Sequence, residues 1–124
     1  MYHGIIVEKS LMAGVRSDDL FKVLNFVVDD ESDWIIKLVE LPAKGIIKKI
    51  EELQDVMDDG AWYNHFYDEK DGLIVAFKNR AFKVTKNKET WNEVIEYGMS
   101  LNIPTEQLDF RPLYFIEEEK YFNK

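Results

Sequence analysis

The chain has 124 residues, of which 46% are hydrophobic, 14% are aromatic and none is cysteine. This composition predicts one folded domain spanning residues 1–124, and it excludes a disulfide framework, a thiolate nucleophile and a cysteine-bound zinc. The net charge of −8 disfavours binding to nucleic acid and to anionic membranes, and no apolar run approaches a membrane span, so we expect a soluble, cytoplasmic protein.

The N-terminal third of the chain predicts strands. Tyr2–Val7 is a short apolar run typical of a first strand. The stretch within 18–28 is ambiguous, because its apolar residues fit a helical face capped by Ser17, yet Asn25–Val28 before an acidic turn is typical of a strand. We favour a hairpin whose second strand, Trp34–Leu41, is apolar enough to be buried on both faces.

The acidic turn between these strands partly matches the pattern of a calcium-binding loop. Asp29, Glu31, Asp33 and Glu40 occupy positions that supply calcium ligands in such loops, but the sharp bend needs a glycine where this chain has Trp34. We therefore expect a solvated hairpin turn and no metal site.

An amphipathic helix is predicted to start at Pro42, whose missing N–H costs nothing in a first turn. Gly60 is predicted to end it. One face carries the apolar residues Ile46, Ile47, Ile50, Leu53 and Met57.

The stretch Ala61–Val84 has the strongest strand signals and the densest aromatic chemistry. Alternation and turn residues predict strands at Trp62–Tyr67, Leu73–Phe77 and Ala81–Val84. A basic strip follows on the third strand and the next loop, and we favour a solvated sheet edge over a docking surface for an acidic partner. The strip comprises Lys78, Arg80, Lys83, Lys86 and Lys88.

A second helix is predicted after the basic strip, where Thr90 and Glu93 form a T-x-x-E capping box. Gly98 at helical spacing indicates close approach of a neighbouring element, and the helix should stop near Asn102, before Pro104. Its apolar face comprises Trp91, Val94, Ile95 and Met99.

The C-terminal part is predicted to be less regular. One further helical turn is expected at Glu106–Asp109, and an edge strand at Leu113–Ile116. Residues 117–124 are expected to form a loosely ordered tail. The predicted fold is thus a single α+β domain, an antiparallel sheet of about five or six strands with two amphipathic helices packed chiefly on one face.

The candidate binding residues are Tyr63, His65 and Tyr67, which alternation places on one face of a strand. An exposed row of this kind can stack a ligand or a partner. In the alternative, the row is a second hydrophobic surface covered by one of the chain ends, with His65 hydrogen-bonded to a carboxylate.

Three functions from different classes fit the sequence. We favour a non-catalytic binding or interaction module, with a homo-oligomer, another protein or a small molecule as partner. The alternatives are an enzyme that pairs His65 with Asp109 or Glu106 for acid–base chemistry, and an acidic regulatory protein. The common nucleotide, serine-hydrolase and zinc-protease motifs are absent, and no cofactor or catalytic residue is assigned.

Overall fold

A computed structural model describes residues 1–110 and 114–122. In that part of the chain, the strands are β1 (Tyr2–Val7), β2 (Lys22–Val28), β3 (Ile35–Leu41), β4 (Tyr63–Tyr67), β5 (Gly72–Phe77) and β6 (Ala81–Thr85). They form one antiparallel sheet in the order β2-β3-β1-β4-β5-β6. The predicted α+β class and antiparallel sheet are therefore confirmed.

The ambiguous segment before the acidic turn is a strand. β2 pairs antiparallel with β3, so the predicted hairpin is confirmed. A β-bulge between Val23 and Asn25 interrupts the side-chain alternation of β2, which made this segment hard to distinguish from a helix. β3 lies inside the sheet, and two successive residues of this strand, Leu38 and Val39, are buried on opposite faces of the sheet.

Helix α1 (Ile46–Val56) begins later than predicted, because the chain leaves the sheet at Pro42 instead of starting a helix there. Gly45 occupies the N-cap position with a φ of 81°, a left-handed conformation that the helix interior does not allow. The helix also ends before Gly60, since Met57 is already extended. Gly60 has a φ of 121° and lies in the loop that leads to β4.

Helix α2 (Asn92–Ser100) forms where it was predicted, but the capping box does not form. The Thr90 hydroxyl donates to the backbone carbonyl of Asn87 at 2.7 Å. Trp91 holds the N-cap position, and no side chain bonds to the first turn from there. Thr90 itself closes a short 3-10 turn, so its hydroxyl faces back toward the end of β6.

The end of α2 is packed closely against the loop that follows it. A Cβ atom on Gly98 would lie 2.5 Å from the Leu108 side chain, which confirms the predicted close approach. Asn102 then adopts a φ of 66°, and a 3-10 turn (Thr105–Gln107) replaces the helical turn predicted at Glu106–Asp109.

The two faces of the sheet are covered by different helices, which corrects the expectation that both helices pack chiefly on one face. Along β5, Ile74 and Ala76 lie in the core cluster that contains α1. Leu73, Val75 and Phe77 lie in the cluster that contains α2. All five side chains are buried, and a strand that is apolar on both sides needs cover on both sides. We call these sides the α1 face and the α2 face.

The C-terminal segment is folded onto the α2 face. A 3-10 turn (Phe115–Glu117) leads into helix α3 (Glu118–Phe122). Phe122 is only 5% exposed and packs with Ile5 and Leu38. α3 therefore covers the part of the sheet that α2 does not reach.

Two predictions for this segment are wrong within the described residues. The edge strand expected at Leu113–Ile116 is absent over 114–116, and Leu113 lies outside the described residues. The tail expected at 117–124 is helical and docked up to residue 122, while 123–124 lie outside. The aromatic side chains of this segment anchor it, because they find apolar cover on the sheet.

None of the helices in the described ranges is long and apolar enough to cross a membrane. Among the same residues, no three histidine or acidic side chains are grouped so that they could hold a metal ion. The acidic stretch 29–33 forms the turn between β2 and β3.

Candidate functional site

The three predicted binding residues do lie together on β4, on the α2 face. The ring of His65 is 6.5 Å from that of Tyr63 and 6.2 Å from that of Tyr67. The row is nevertheless covered unevenly. Tyr67 is fully buried, whereas Tyr63 and His65 are half-buried.

Tyr67 belongs to a buried polar network that joins the two ends of the chain. Its hydroxyl donates to Glu118 Oε2 at 2.5 Å. The same oxygen lies 2.6 Å from His3 Nδ1, and His3 Nε2 lies 3.3 Å from Glu40. The pKa of Tyr67 is raised well above its usual value. Burial is the largest cause, and the hydrogen bond to Glu118 is the next largest. We call these four residues the His3–Glu118 network.

The network is reinforced by ring stacking. Phe115 lies parallel to His3, with 3.7 Å between the ring centroids. The Glu118 carboxylate is thus paired with His3, and within the described residues no hydrogen bond joins it to His65 Nε2. The His3–Glu40 pair follows from strand register, because the two residues are directly opposite on β1 and β3. Glu118 could not be placed from the sequence, since it stands in a segment without a strand or helix signal.

A cleft of about 470 Å³ opens on the α2 face where β1 ends and where β3 and β4 begin. It lies between the acidic turn on one side and the loop after α2 on the other. His65 and Ile5, which are directly opposite on neighbouring strands, both line it. The described residues that line it are Ile5, Val7, Asp29, Glu31, Ser32, Trp34, Ala61, Trp62, Tyr63, His65, Ile103 and Gln107.

Two tryptophans in contact with each other line the cleft. The ring centroids of Trp34 and Trp62 are 5.1 Å apart, with the planes tilted by 59°. Trp34 is held by the acidic turn, because its backbone carbonyl accepts from Asp29 N at 2.9 Å and its N–H donates to Ser32 Oγ at 3.2 Å. Ser32 Oγ in turn donates to the Asp29 carboxylate at 2.6 Å.

Tyr63 also lines the cleft, and its own contacts hold it in place. Its hydroxyl donates to the backbone carbonyl of Gln107 at 2.5 Å, and its ring meets Phe110 edge-on at 5.1 Å. Burial, the larger cause, and the negative charge of Asp109, the smaller one, together raise the pKa of Tyr63 to about 12. Tyr63 is therefore a neutral hydrogen-bonded phenol at physiological pH, which ties β4 to the loop after α2.

His65 is a polar side chain without a polar partner. Its Nε2 is buried and makes no hydrogen bond within the described residues. Within the described residues, no hydrogen bond joins this nitrogen to Asp109 or Glu106, the two predicted acid–base partners. Burial lowers the pKa of His65 to about 4, so the imidazole is neutral at pH 7.

The rim of the cleft is acidic. Asp29 and Glu31 line it, and four of the five residues in the turn 29–33 are acids. None of these four forms a salt bridge within the described ranges. Among residues 1–110 and 114–122, no lysine or arginine lines the cleft.

The basic strip does not form one free docking face. Lys78 donates to the Met57 carbonyl at 2.5 Å, and Lys86 donates to the Asp68 carbonyl at 2.8 Å. Arg80 lies 4.4 Å from the centroid of the Phe82 ring. Three of the five cations thus contact the chain itself, on and around the edge strand β6.

Comparison with protein-family models, with curated proteins and with solved structures found no match to this chain. The function has to be argued from the chemistry of the site, because a fold class alone does not imply an activity.

Proposed function

We propose that the protein is a non-catalytic binding domain whose ligand occupies the cleft between Trp34, Trp62 and Tyr63, with His65 beneath it. The observation that carries this proposal is a buried imidazole nitrogen that has no hydrogen-bond partner among the described residues and lies beside a cleft lined by aromatic side chains. Buried polar atoms are almost always hydrogen-bonded, and exceptions concentrate at functional sites.

The size and lining of the cleft support a small molecule as the ligand. A volume of about 470 Å³ lies within the usual range for small-molecule sites, which are mostly apolar with a few placed polar groups. Here the apolar part is supplied by aromatic and aliphatic side chains, and the polar part by His65, Ser32 and the acids of the rim.

Binding is better supported than catalysis. A general acid or base is usually oriented by a second polar group, and its pKa lies near the working pH. His65 has no such orienting partner in the described residues, and its pKa of about 4 leaves it uncharged. The enzyme that pairs His65 with a carboxylate, and the acidic regulatory protein, remain alternatives.

The three tryptophans of the chain allow a direct test. A set of small aromatic compounds should shift the indole N–H signals of Trp34 and Trp62 in two-dimensional NMR. The signal of Trp91 should not move, because that indole is buried elsewhere and donates to the Thr85 carbonyl at 2.7 Å. Trp34→Ala should abolish the response, whereas Ile47→Ala, at a side chain 56% exposed on α1, should not. Failure of every compound to shift the two indole signals would contradict the proposal.

Self-association is a second candidate, supported by a different surface from the one the sequence suggested. Tyr67 is buried beneath α3, so the row on β4 cannot meet a second copy as a whole. The edge strand β2 and its neighbour β3 instead expose apolar side chains, and an unprotected edge can pair with another strand. These residues, 40% to 59% exposed, are Leu24, Phe26, Val28 and Ile35.

The partner proposed for this edge is a second copy of the chain. Antiparallel pairing of two β2 strands would bring Lys22, at the start of one, close to the acidic turn after the other. Sedimentation equilibrium should detect a dimer that Phe26→Lys removes and Ile47→Lys leaves intact. A wild-type protein that stays monomeric at high concentration would refute this candidate. The cytoplasmic location expected from the sequence stays a prediction.

A further inference from the structure

We infer that the ligand of the cleft is an organic cation, an ammonium group carried on an apolar or aromatic body. This inference rests on the proposed function, since it names the ligand class of the same cleft. It depends on three features of the lining, namely its aromatic side chains, its acids that form no salt bridge with a described residue, and its uncharged histidine.

The aromatic walls suit a cation. Trp34, Trp62 and Tyr63 all line the cleft, and the ring planes of the two tryptophans are tilted by 59° to each other. The face of an aromatic ring carries negative charge density, and tryptophan attracts cations most strongly. Two or three such faces around one cavity are the usual means of holding an ammonium group that has lost part of its water shell.

The acids add a charge preference of the same sign. Glu31 is exposed at the rim, and Asp29 is half-buried beside it, held by Ser32. No basic side chain neutralises either of them within the described residues, and the whole chain carries a net charge of −8. A cation entering the cleft is therefore attracted at every stage of its approach.

The same lining disfavours an anion. A carboxylate or phosphate in the cleft would lie beside Asp29 and Glu31, and none of the described residues that line the cleft is a lysine or arginine that could pair with it. His65 is neutral, so it neither repels a cation nor attracts an anion. Its ring can still form one hydrogen bond to a polar group on the ligand.

Three probes with the same phenyl ring separate charge from apolar fit. Phenethylamine carries an ammonium group near neutral pH, phenethyl alcohol carries a neutral hydroxyl, and phenylacetate carries a carboxylate. Each is titrated into the full chain while the indole N–H signals of Trp34, Trp62 and Trp91 are followed. We expect phenethylamine to shift the first two signals and to bind about tenfold more tightly than phenethyl alcohol, with phenylacetate weakest.

A charge-neutralising variant identifies the acids responsible. Glu31→Gln should reduce the preference for phenethylamine over phenethyl alcohol about threefold, and added salt should reduce it in the wild type. Glu51→Gln makes the same charge change at an exposed position on α1 and should leave the preference unchanged.

The outcomes distinguish the inference from the function on which it rests. If phenethyl alcohol or phenylacetate shifts the Trp34 and Trp62 signals at equal or lower concentration than phenethylamine, the cation inference is overturned and the binding site stands. If none of the three probes shifts these signals, the binding site fails and the inference fails with it.

Discussion

Replacing Glu118 tests whether the C-terminal helix is held by the buried network that links it to β1. The Glu118 side chain is 7% exposed in the structure and accepts from the Tyr67 hydroxyl at 2.5 Å. It also lies 2.6 Å from His3 Nδ1. Glu118→Leu keeps a side chain of similar size but removes both hydrogen bonds.

The expected loss of stability follows from the groups left behind. A buried polar group that loses its partner costs about 1–3 kcal/mol, and Glu118→Leu leaves two such groups, on His3 and Tyr67. His3 keeps its contact with Glu40 at 3.3 Å, so we expect a total near the lower end, about 3 kcal/mol. Adding His3→Phe should recover about half of that loss, because only the Tyr67 hydroxyl then lacks a partner.

Urea denaturation of the single, double and control variants measures these differences. Glu119→Leu is the matched control, because Glu119 is the next residue of α3 and is exposed, and its substitution should change the free energy of unfolding by less than about 0.5 kcal/mol. Equal losses for Glu118→Leu and Glu119→Leu would refute the argument. So would simple additivity of the His3 and Glu118 substitutions, since additive effects show that the two groups do not interact.

Three further predictions concern single residues. Burial lowers the pKa of His65 from 6.5 to about 4, so the unfolded chain takes up the proton first and stability should fall as the pH drops through that range. In urea denaturation across this pH range, the free energy of unfolding of His65→Phe should fall by about 3 kcal/mol less than that of the wild type. Equal pH dependences of the two proteins would contradict this. Trp91→Ala should cost about 3–5 kcal/mol because the side chain is 2% exposed, and a change below about 1 kcal/mol would place it on the surface. A Gly→Ala change usually stabilises an exposed helix. Gly98→Ala should instead lower the free energy of unfolding by about 1–3 kcal/mol, because the new Cβ would lie 2.5 Å from Leu108. A stabilised variant would show that Leu108 moves aside.

The strands of the sheet could be predicted from the sequence because their signals are local. The alternation in Tyr63–Tyr67 and the turn residues on either side of Gly72–Phe77 determine strand positions without reference to the rest of the chain. The same alternation correctly placed Tyr63, His65 and Tyr67 on one face, as their ring contacts show.

The placement of helices relative to the sheet could not be predicted in the same way. An amphipathic helix needs an apolar surface, but its own sequence does not say which face of the sheet supplies that surface. The fully apolar β5, Gly72–Phe77, carried the relevant signal, because a strand buried on both sides requires cover on both sides. Burial on both faces was predicted for β3 but not for β5.

The candidate cleft depends on contacts between residues far apart in the chain. Trp34 and Trp62 are separated by 28 positions, and they come together because the strands that follow them, β3 and β4, both pair with β1. The predicted start of α1 was wrong for a simpler reason. Pro42 is as compatible with the end of a strand as with the start of a helix. Gly45 was the residue that fixed the helix start, through its left-handed φ.

The position of β1 has a consequence for how the chain folds as it is synthesised. β1 is synthesised before the other five described strands, yet it lies inside the sheet, with β3 and β4 as neighbours. His3 meets its closest partner, Glu118, only after 115 further positions have been made. Contacts of such long sequence separation form slowly, because the intervening chain must be ordered before they can be made. A nascent or prematurely ended chain therefore exposes the apolar surface of β1 and β3 that α3 covers, and that surface invites association with other incomplete chains.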